Sequence, residues 1–234
     1  MGSGGTFKAG GNCWYRRRQR KRPPYRGKLG FDFNYFATHM DLSGFSSLFP
    51  AFEAKRVKEN PDGSYHYLNE DGAIVLQKEG AGSIPAEVGH LLKDRASWEE
   101  HYLPRLQYAQ DRFDDKVLQQ LAAESETRSE PLGLYCKSLF GQIRNWLGVE
   151  GISYLYADDE DLYDEIINTV GDLCYNTTKH ALESGVRFDF AHFWEDICFK
   201  NGPLVIPSAF EEKVGPHYKK ITANGSLCNI IVSA

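Results

Sequence analysis

The sequence predicts an α/β fold in which short parallel strands alternate with helices. From residue 131 onward, three short apolar segments are separated by stretches with helical periodicity, an alternation that implies parallel strands joined by right-handed crossovers. The strands are mostly apolar along their length, as expected where helices cover both faces of a sheet. With 234 residues, of which 41% are hydrophobic, the chain has enough apolar material for a sizeable core.

The C-terminal half contains the elements on which this prediction depends. The strands are predicted over residues 132–136, about 188–194 and 227–232. A short helix after the first strand is predicted to end at Gly148, and a long helix opens at the acidic run 158–161. Carboxylates favour a helix N-terminus because its backbone N–H groups lack partners there. Pro207 suits the first turn of the helix before the third strand.

The N-terminal half predicts a hairpin and a helix. Residues 31–60 are rich in aromatic side chains and are expected to cover part of a core. Residues 64–77 alternate around the turn 69–72, a pattern typical of a hairpin. Ser97 and Glu100 have the spacing of a capping box, and apolar residues recur at helical spacing as far as Leu121. Pro104 is expected to kink this helix.

Residues 1–30 differ from the remainder of the chain, which forms one domain over 31–234. They hold nine Lys or Arg residues and no acid, a composition that predicts a disordered basic tail. A nuclear-import or nucleic-acid-binding arm and a misassigned start of the reading frame are the alternatives. The other 204 residues hold 18 basic and 32 acidic side chains, so we expect no nucleic-acid partner.

The five cysteines bear on the compartment. Their number is odd and their spacing is wide, a pattern that favours reduced thiols and a cytoplasmic protein. The N-terminus lacks the apolar core of a signal peptide. No apolar run reaches the roughly 18 residues that span a bilayer, so no membrane partner is expected.

The last predicted strand runs almost to Ala234. A parallel strand at a sheet edge leaves unpaired backbone groups, and a full barrel needs eight strands in about 250 residues. We therefore interpret the chain as a fragment of a larger domain. An open doubly wound sheet is the competing architecture. No G-x-G-x-x-G loop follows any predicted strand, which argues against a nucleotide-binding site.

Several stretches resemble the uroporphyrinogen decarboxylase superfamily, which also contains zinc-dependent methyltransferases that act on corrinoid proteins. The resemblance covers about residues 31–234. It is carried by residues 48–53, 69–72 with 83–85, 98–100 with 104–106, 193–203 with Pro207, and 215–219. The order of these pieces is more specific than any one of them. The resemblance implies a partial (β/α)8 TIM barrel, incomplete at the C-terminus, with its site at the carboxyl ends of the strands.

The resemblance leaves the reaction open between two branches. The decarboxylase removes acetate carboxylates from a tetrapyrrole without a cofactor, and its arginine-rich motif after the first strand is not found here. The methyltransferase branch uses zinc held in part by a His-x-Cys motif, whose His would align near Ser233. We favour methyl transfer with a corrinoid-linked substrate. Decarboxylation and a non-catalytic fragment are the alternatives. Decarboxylases of this family are often dimers, so a homodimer is one arrangement to consider.

Two carboxylates follow the second barrel strand and are predicted to be catalytic. Glu195 and Asp196 could transfer a proton or hold a substrate N–H group, and the competing interpretation is a solvated loop or a helix cap. Trp194 beside them is predicted to bind a flat substrate, although a core role fits its sequence position equally well.

Four further residues are predicted to bind substrate. Cys136 and Lys137 end the first barrel strand, Arg144 lies on the next helix, and His192 lies on the second strand. Arg144 could make a bidentate contact with a carboxylate. An inert buried thiol, a salt bridge and a hydrogen-bonded core histidine are the competing interpretations of the cysteine, arginine and histidine. No histidine stands in a zinc-binding motif, so no metal ligand is predicted within the chain.

Overall fold

The fold is known from a computed structural model. It describes residues 39–40, 47–80, 85–128, 131–224 and 230–233, the first and last of these by their backbone alone. The predicted tail over residues 1–30 and the aromatic residues up to Phe45 lie outside the described residues.

The strands and helices, in chain order, are as follows. The strands are β1 (His39–Met40), β2 (Lys55–Glu59), β3 (Ser64–Leu68), β4 (Ala73–Lys78), β5 (Ala86–His90), β6 (Gly133–Tyr135), β7 (Phe190–Trp194), β8 (Cys198–Phe199), β9 (Gly202–Pro203) and β10 (Ile230–Ser233). The helices are α1 (Arg95–Ser97), α2 (Asp115–Glu124), α3 (Phe140–Asp158), α4 (Glu160–Glu183), α5 (Pro207–Ala209) and α6 (Gly215–Thr222). Single π-helical turns span Trp98–Tyr102 and Phe210–Val214.

Four strands form a parallel sheet with the order β1–β6–β7–β10. Every neighbouring pair in this sheet is parallel, which confirms the predicted strand direction. α3 and α4 connect β6 to β7, and α5 and α6 connect β7 to β10. β1 is a fourth parallel strand that the sequence did not predict. None of the sheets that the described residues form is closed into a barrel, so the partial barrel stays a prediction.

The predicted hairpin is confirmed and is part of a second sheet, which is antiparallel with the order β2–β3–β4–β5. The turn between β3 and β4 is held by Asn69, whose Oδ1 accepts hydrogen bonds from the backbone N–H groups of Asp71 and Ala73. Gly72 in this turn has φ of 86°. A β-carbon there would overlap the hydroxyl of Tyr102 and the ring of Phe52. Glycine is therefore required at residue 72 by both conformation and space.

We expect Gly72→Ala to lower the free energy of unfolding by about 2–4 kcal/mol, from backbone strain and overpacking together. Gly63→Ala is the matched control because Gly63 has φ of 78° but open space around its α-carbon. Gly63→Ala introduces the backbone strain alone and should lower the free energy of unfolding by about 1 kcal/mol. Urea unfolding of the three proteins gives the comparison. Equal losses in the two variants would show that the contact with Tyr102 contributes nothing.

The prediction of one continuous helix from Ser97 to Leu121 is wrong, because several short helical turns occupy this stretch. The α-helix there is only three residues long, and the chain continues through the π-helical turn and 3-10 turns at Leu103–Arg105 and Gln110–Arg112. The capping box starts at Asp94, whose side chain accepts from the N–H of Ser97, so Ser97 is the third helical residue rather than the cap. Pro104 lacks an N–H group, which prevents the regular hydrogen-bond pattern. Asp114 then caps α2 separately.

The helices before and after β7 begin and end closer to the predicted residues. The predicted helix end at Gly148 is a kink, because Gly148 has φ of 74° and α3 resumes beyond it. Asp159 caps α4 by accepting from the N–H of Leu162, as the acidic run predicts. Pro207 occupies the first turn of α5, also as predicted. The buried core joins residues from α2, α3, α4, β6 and β7 with Trp98 and Tyr102.

α6 packs on α4 at a close contact between His217 and Gly171. A β-carbon at residue 171 would overlap the imidazole ring, and the Nε2 atom of His217 lies 2.9 Å from Oδ1 of Asn168. Burial lowers the pKa of His217 from its ordinary value of 6.5. A depressed histidine pKa means that the unfolded chain takes up the proton first. The fold therefore loses stability as the pH falls through about 6.5 towards the folded-state pKa.

We expect the free energy of unfolding to be smaller at pH 5.5 than at pH 7.5, and His217→Gln to weaken this dependence. Glutamine keeps a hydrogen-bonding group at residue 217 but does not titrate. His90, whose pKa is also lowered by burial, accounts for part of the remaining slope. An unchanged pH dependence in the variant, measured by urea unfolding at both pH values, would contradict the prediction.

Candidate functional site

Glu195 follows β7 directly and is buried at the carboxyl edge of the parallel sheet, with 1% of its surface exposed. Its Oε1 atom accepts from the backbone N–H groups of Leu139 and Phe140, at 2.8 and 3.2 Å. Its Oε2 atom accepts from the N–H of Gly141 at 2.7 Å and from the hydroxyl of Ser138 at 3.2 Å. The carboxylate thus occupies the N-terminus of α3, where unsatisfied N–H groups favour an anion.

Tyr218 of α6 adds a fifth donor, because its hydroxyl donates to Oε1 of Glu195. Burial raises the pKa of Glu195 above its ordinary value, and the hydrogen bonds from Tyr218, Gly141, Leu139 and Ser138 offset this only in part. Burial also raises the pKa of Tyr218, and the neighbouring carboxylate raises it further, so the phenol stays protonated and remains a donor. Glu195 therefore ties β7, α3 and α6 together through a fully hydrogen-bonded carboxylate.

Asp196 lies beside Glu195 in the chain and forms an ion pair with Arg144 of α3. The side chain of Asp196 is 34% exposed and that of Arg144 is 14% exposed, so the pair is open to solvent from the aspartate side. Burial lowers the pKa of Arg144, and the charge of Glu87 on β5 raises it. The salt bridge was the competing interpretation of Arg144, and its partner in the structure is Asp196. Substrate binding by Arg144 stays a prediction. The pair is thus a charged group of this edge that is partly accessible to solvent.

Trp194 packs against the first turn of α3, where a β-carbon on Gly141 would lie 3.0 Å from its ring. Its backbone N–H donates to the carbonyl of Lys137 at 3.2 Å. Its side chain is partly exposed, unlike the buried strand residues before it. The structure therefore brings Trp194, Glu195, Asp196 and Arg144 together around the start of α3.

The other predicted site residues are more deeply placed. Cys136 is 2% exposed, belongs to the hydrophobic core, and has its Sγ atom 3.6 Å from the carbonyl of Leu134. Lys137 is also 2% exposed and has φ of 68°, a conformation uncommon outside glycine. His192 is 4% exposed, with its ring 5.5 Å from that of Tyr135. Their backbones lie at or before the carboxyl edge, but their side chains are buried.

Three residues of this region, Ser138, Gln142 and Tyr218, were not predicted from the sequence. Ser138 and Tyr218 donate to Glu195. Gln142 is 8% exposed, and its Nε2 atom donates to Oδ1 of Asp71 at 3.3 Å, which joins the turn of the antiparallel sheet to α3. Ser138 and Gln142 fall in the loop and first turn after β6, and this position was the signal that could have pointed to them. Tyr218 is 23 residues from Glu195, and no local pattern connects them.

Among the described residues, no three His, Cys, Asp or Glu side chains come together in a way that would bind an ion. Within the part of the chain that the structure describes, no helix combines the length and apolarity that crossing a bilayer demands.

Comparison with known proteins gives one distant neighbour to report. No family model matches the chain, and no curated protein matches it. A solved structure that does match is a methyltransferase from Methanosarcina mazei, with 10% sequence identity and a TM-score of 0.41. The match covers 65% of this chain and 44% of that chain, so this chain spans less than half the length of its neighbour. A likeness at this level assigns neither a family nor an activity.

Proposed function

We propose that the chain is part of a (β/α)-barrel enzyme of the uroporphyrinogen decarboxylase superfamily, with its substrate site at the carboxyl edge of β6 and β7. The sequential order of the parallel strands, with helices between them, is the arrangement that a segment of such a barrel has. The observation that carries the proposal is the Asp196–Arg144 pair beside the anchored N-terminus of α3. Barrel enzymes place their chemistry at this edge.

Methyl transfer from a corrinoid-linked donor is the reaction we favour. A tetrapyrrole with several carboxylates needs an excess of cationic groups in its site. The described residues around this edge include three acids, Glu195, Asp196 and Glu87, against two bases, Lys137 and Arg144. Arg144 is already paired with Asp196. Since the bases do not outnumber the acids, the edge suits a corrinoid-linked methyl donor better than a polyanion.

The two predicted catalytic carboxylates are assigned different roles. Both oxygens of Glu195 are occupied by donors, which favours a positioning role at the start of α3. Asp196 is partly exposed and Arg144 pairs with it from the buried side, and we assign this pair to substrate contact, with Trp194 as a wall. Cys136, Lys137 and His192 remain predicted substrate-binding residues. The described residues do not complete a zinc site, so we derive no step through that metal.

The experiment uses the full chain with methylcob(III)alamin as the methyl donor and 2-mercaptoethanol as the acceptor, under anaerobic conditions. The methyl group bonds to the thiolate sulfur while its bond to cobalt breaks, and the bonding electrons stay on cobalt as cob(I)alamin. Absorbance follows this change. We expect methyl transfer above the protein-free rate, reduced about tenfold or more in Asp196→Asn and Arg144→Gln. Lys58→Ala, a change of an exposed residue on β2, is the matched control.

A parallel incubation with uroporphyrinogen tests the second candidate by chromatography of the oxidised porphyrins. Decarboxylated products would overturn methyl transfer in favour of the tetrapyrrole reaction. Neither product would overturn both, and the non-catalytic interpretation would then hold for this chain. Equal rates in Asp196→Asn and Lys58→Ala would remove Asp196 from the site.

A further inference from the structure

A cleft of about 440 Å³ lies between the second half of α3, the first turn of α4 and the segment after β5. Its volume falls in the range of about 300–1,000 Å³ that small-molecule sites occupy. Its floor is apolar and made of leucines: Leu92, Leu147, Leu155 and Leu162. None of the residues that we assign to the substrate site lines it. The cleft is therefore a separate concave surface with an apolar base.

The charged groups on the rim of this cleft differ in whether they are already engaged. Arg95 is paired with Glu165 at 2.7 Å. Asp94 and Asp159 cap α1 and α4 through hydrogen bonds from backbone N–H groups.

Two rim groups stay available. Lys93 and Asp158 are exposed and line the cleft. Among the described residues neither side chain forms an ion pair, although the charge of Lys93 adds to the hydrogen bonds from Ser97 in lowering the pKa of the adjacent Asp94. Burial lowers the pKa of His90, which also lines the cleft, so that ring is neutral at pH 7. The rim thus offers one ammonium group and one carboxylate that have no ion-pair partner among the described residues, above a leucine floor.

We propose that this cleft binds a small zwitterion with an apolar side chain, of the amino-acid class. The ligand's carboxylate pairs with Lys93, its ammonium group pairs with Asp158, and its aliphatic side chain lies on the leucine floor. Burial of that side chain supplies the hydrophobic part of the affinity. The two opposite charges supply the selection for a zwitterion over a simple amine or acid. The proposal does not depend on the reaction at the carboxyl edge.

Isothermal titration of the full chain tests the proposal with three probes of the same shape. L-Leucine has both charges, 3-methylbutylamine lacks the carboxylate, and 4-methylpentanoate lacks the ammonium group. We expect L-leucine to bind, and each of the other two to bind about threefold or more weakly, the effect of losing one exposed ion pair. Absence of L-leucine binding, or equal affinities for the three probes, would overturn the proposal.

Variants locate the binding in the cleft. Lys93→Ala and Asp158→Asn should each raise the dissociation constant for L-leucine about threefold. Gly151→Leu should abolish binding, because Gly151 lines the cleft and a leucine there would fill it. Asp161→Asn is the matched control, since Asp161 is exposed on the first turn of α4 but does not line the cleft. Binding that survives Gly151→Leu in a folded protein would place L-leucine elsewhere and overturn the assignment.

Discussion

Glu195→Ala is expected to lower the free energy of unfolding by about 3–5 kcal/mol, the effect of removing one partner from a buried charged network. The substitution leaves three backbone N–H groups and the hydroxyls of Ser138 and Tyr218 without their acceptor. It also removes the anion from the N-terminus of α3. A Glu195 with a purely catalytic role would lose activity rather than stability on the same change.

Urea unfolding of the full chain measures this effect. Glu195→Gln retains one acceptor oxygen and most of the volume, so its loss should be smaller than that of alanine. Glu211→Ala is the matched control, because Glu211 is exposed and its loss should stay within about 0.5 kcal/mol. A loss below about 1 kcal/mol in Glu195→Ala would show that the carboxylate does not hold the three elements together.

Trp98→Ala is also expected to lower the free energy of unfolding by about 3–5 kcal/mol, because it removes a large side chain from a packed core. Trp98 is fully buried, and its Nε1 atom donates to Oε1 of Glu165 on α4 at 2.9 Å. Trp98 thus joins the segment that follows β5 to α4.

Trp98→Phe separates packing from the hydrogen bond. Phenylalanine keeps most of the apolar contact but donates nothing to Glu165, which stays paired with Arg95 at 2.7 Å and partly exposed. We expect this variant to lose only about 1–2 kcal/mol. If phenylalanine cost as much as alanine in urea unfolding, the hydrogen bond to Glu165 rather than the cavity would be the main contribution of Trp98.

The contacts of Glu195 also connect stability to the proposed site. The carboxylate fixes the start of α3, which carries Arg144 two residues beyond Gln142. Asp196, the next residue in the chain, then meets that arginine. A change at Glu195 would therefore disturb the substrate-facing pair as well as the fold. Loss of activity in a Glu195 variant would not identify the residue as catalytic. Asp196→Asn is the more informative test of the site.

Much of the fold was predictable because its signals are local. The three parallel strands over the C-terminal half, the hairpin turn at residues 69–72 and the acidic start of α4 each depend on residues a few positions apart. The prediction of a long helix from Ser97 was wrong because it too used only local spacing. Apolar spacing continued through Pro104, but the spacing reports which side chains are buried and not which backbone hydrogen bonds form.

The chemistry of the carboxyl edge depended on contacts that no sequence pattern records. The sequence by itself selected Trp194, Glu195, Asp196 and Arg144, since residues after a parallel strand and on the next helix meet at one edge. Only the tertiary structure decided that Glu195 is a buried anchor for α3 while Asp196 pairs with Arg144. The two carboxylates are adjacent in the chain and alike in chemistry. Their difference comes from burial and from donors located 54 to 57 residues before and 23 residues after Glu195.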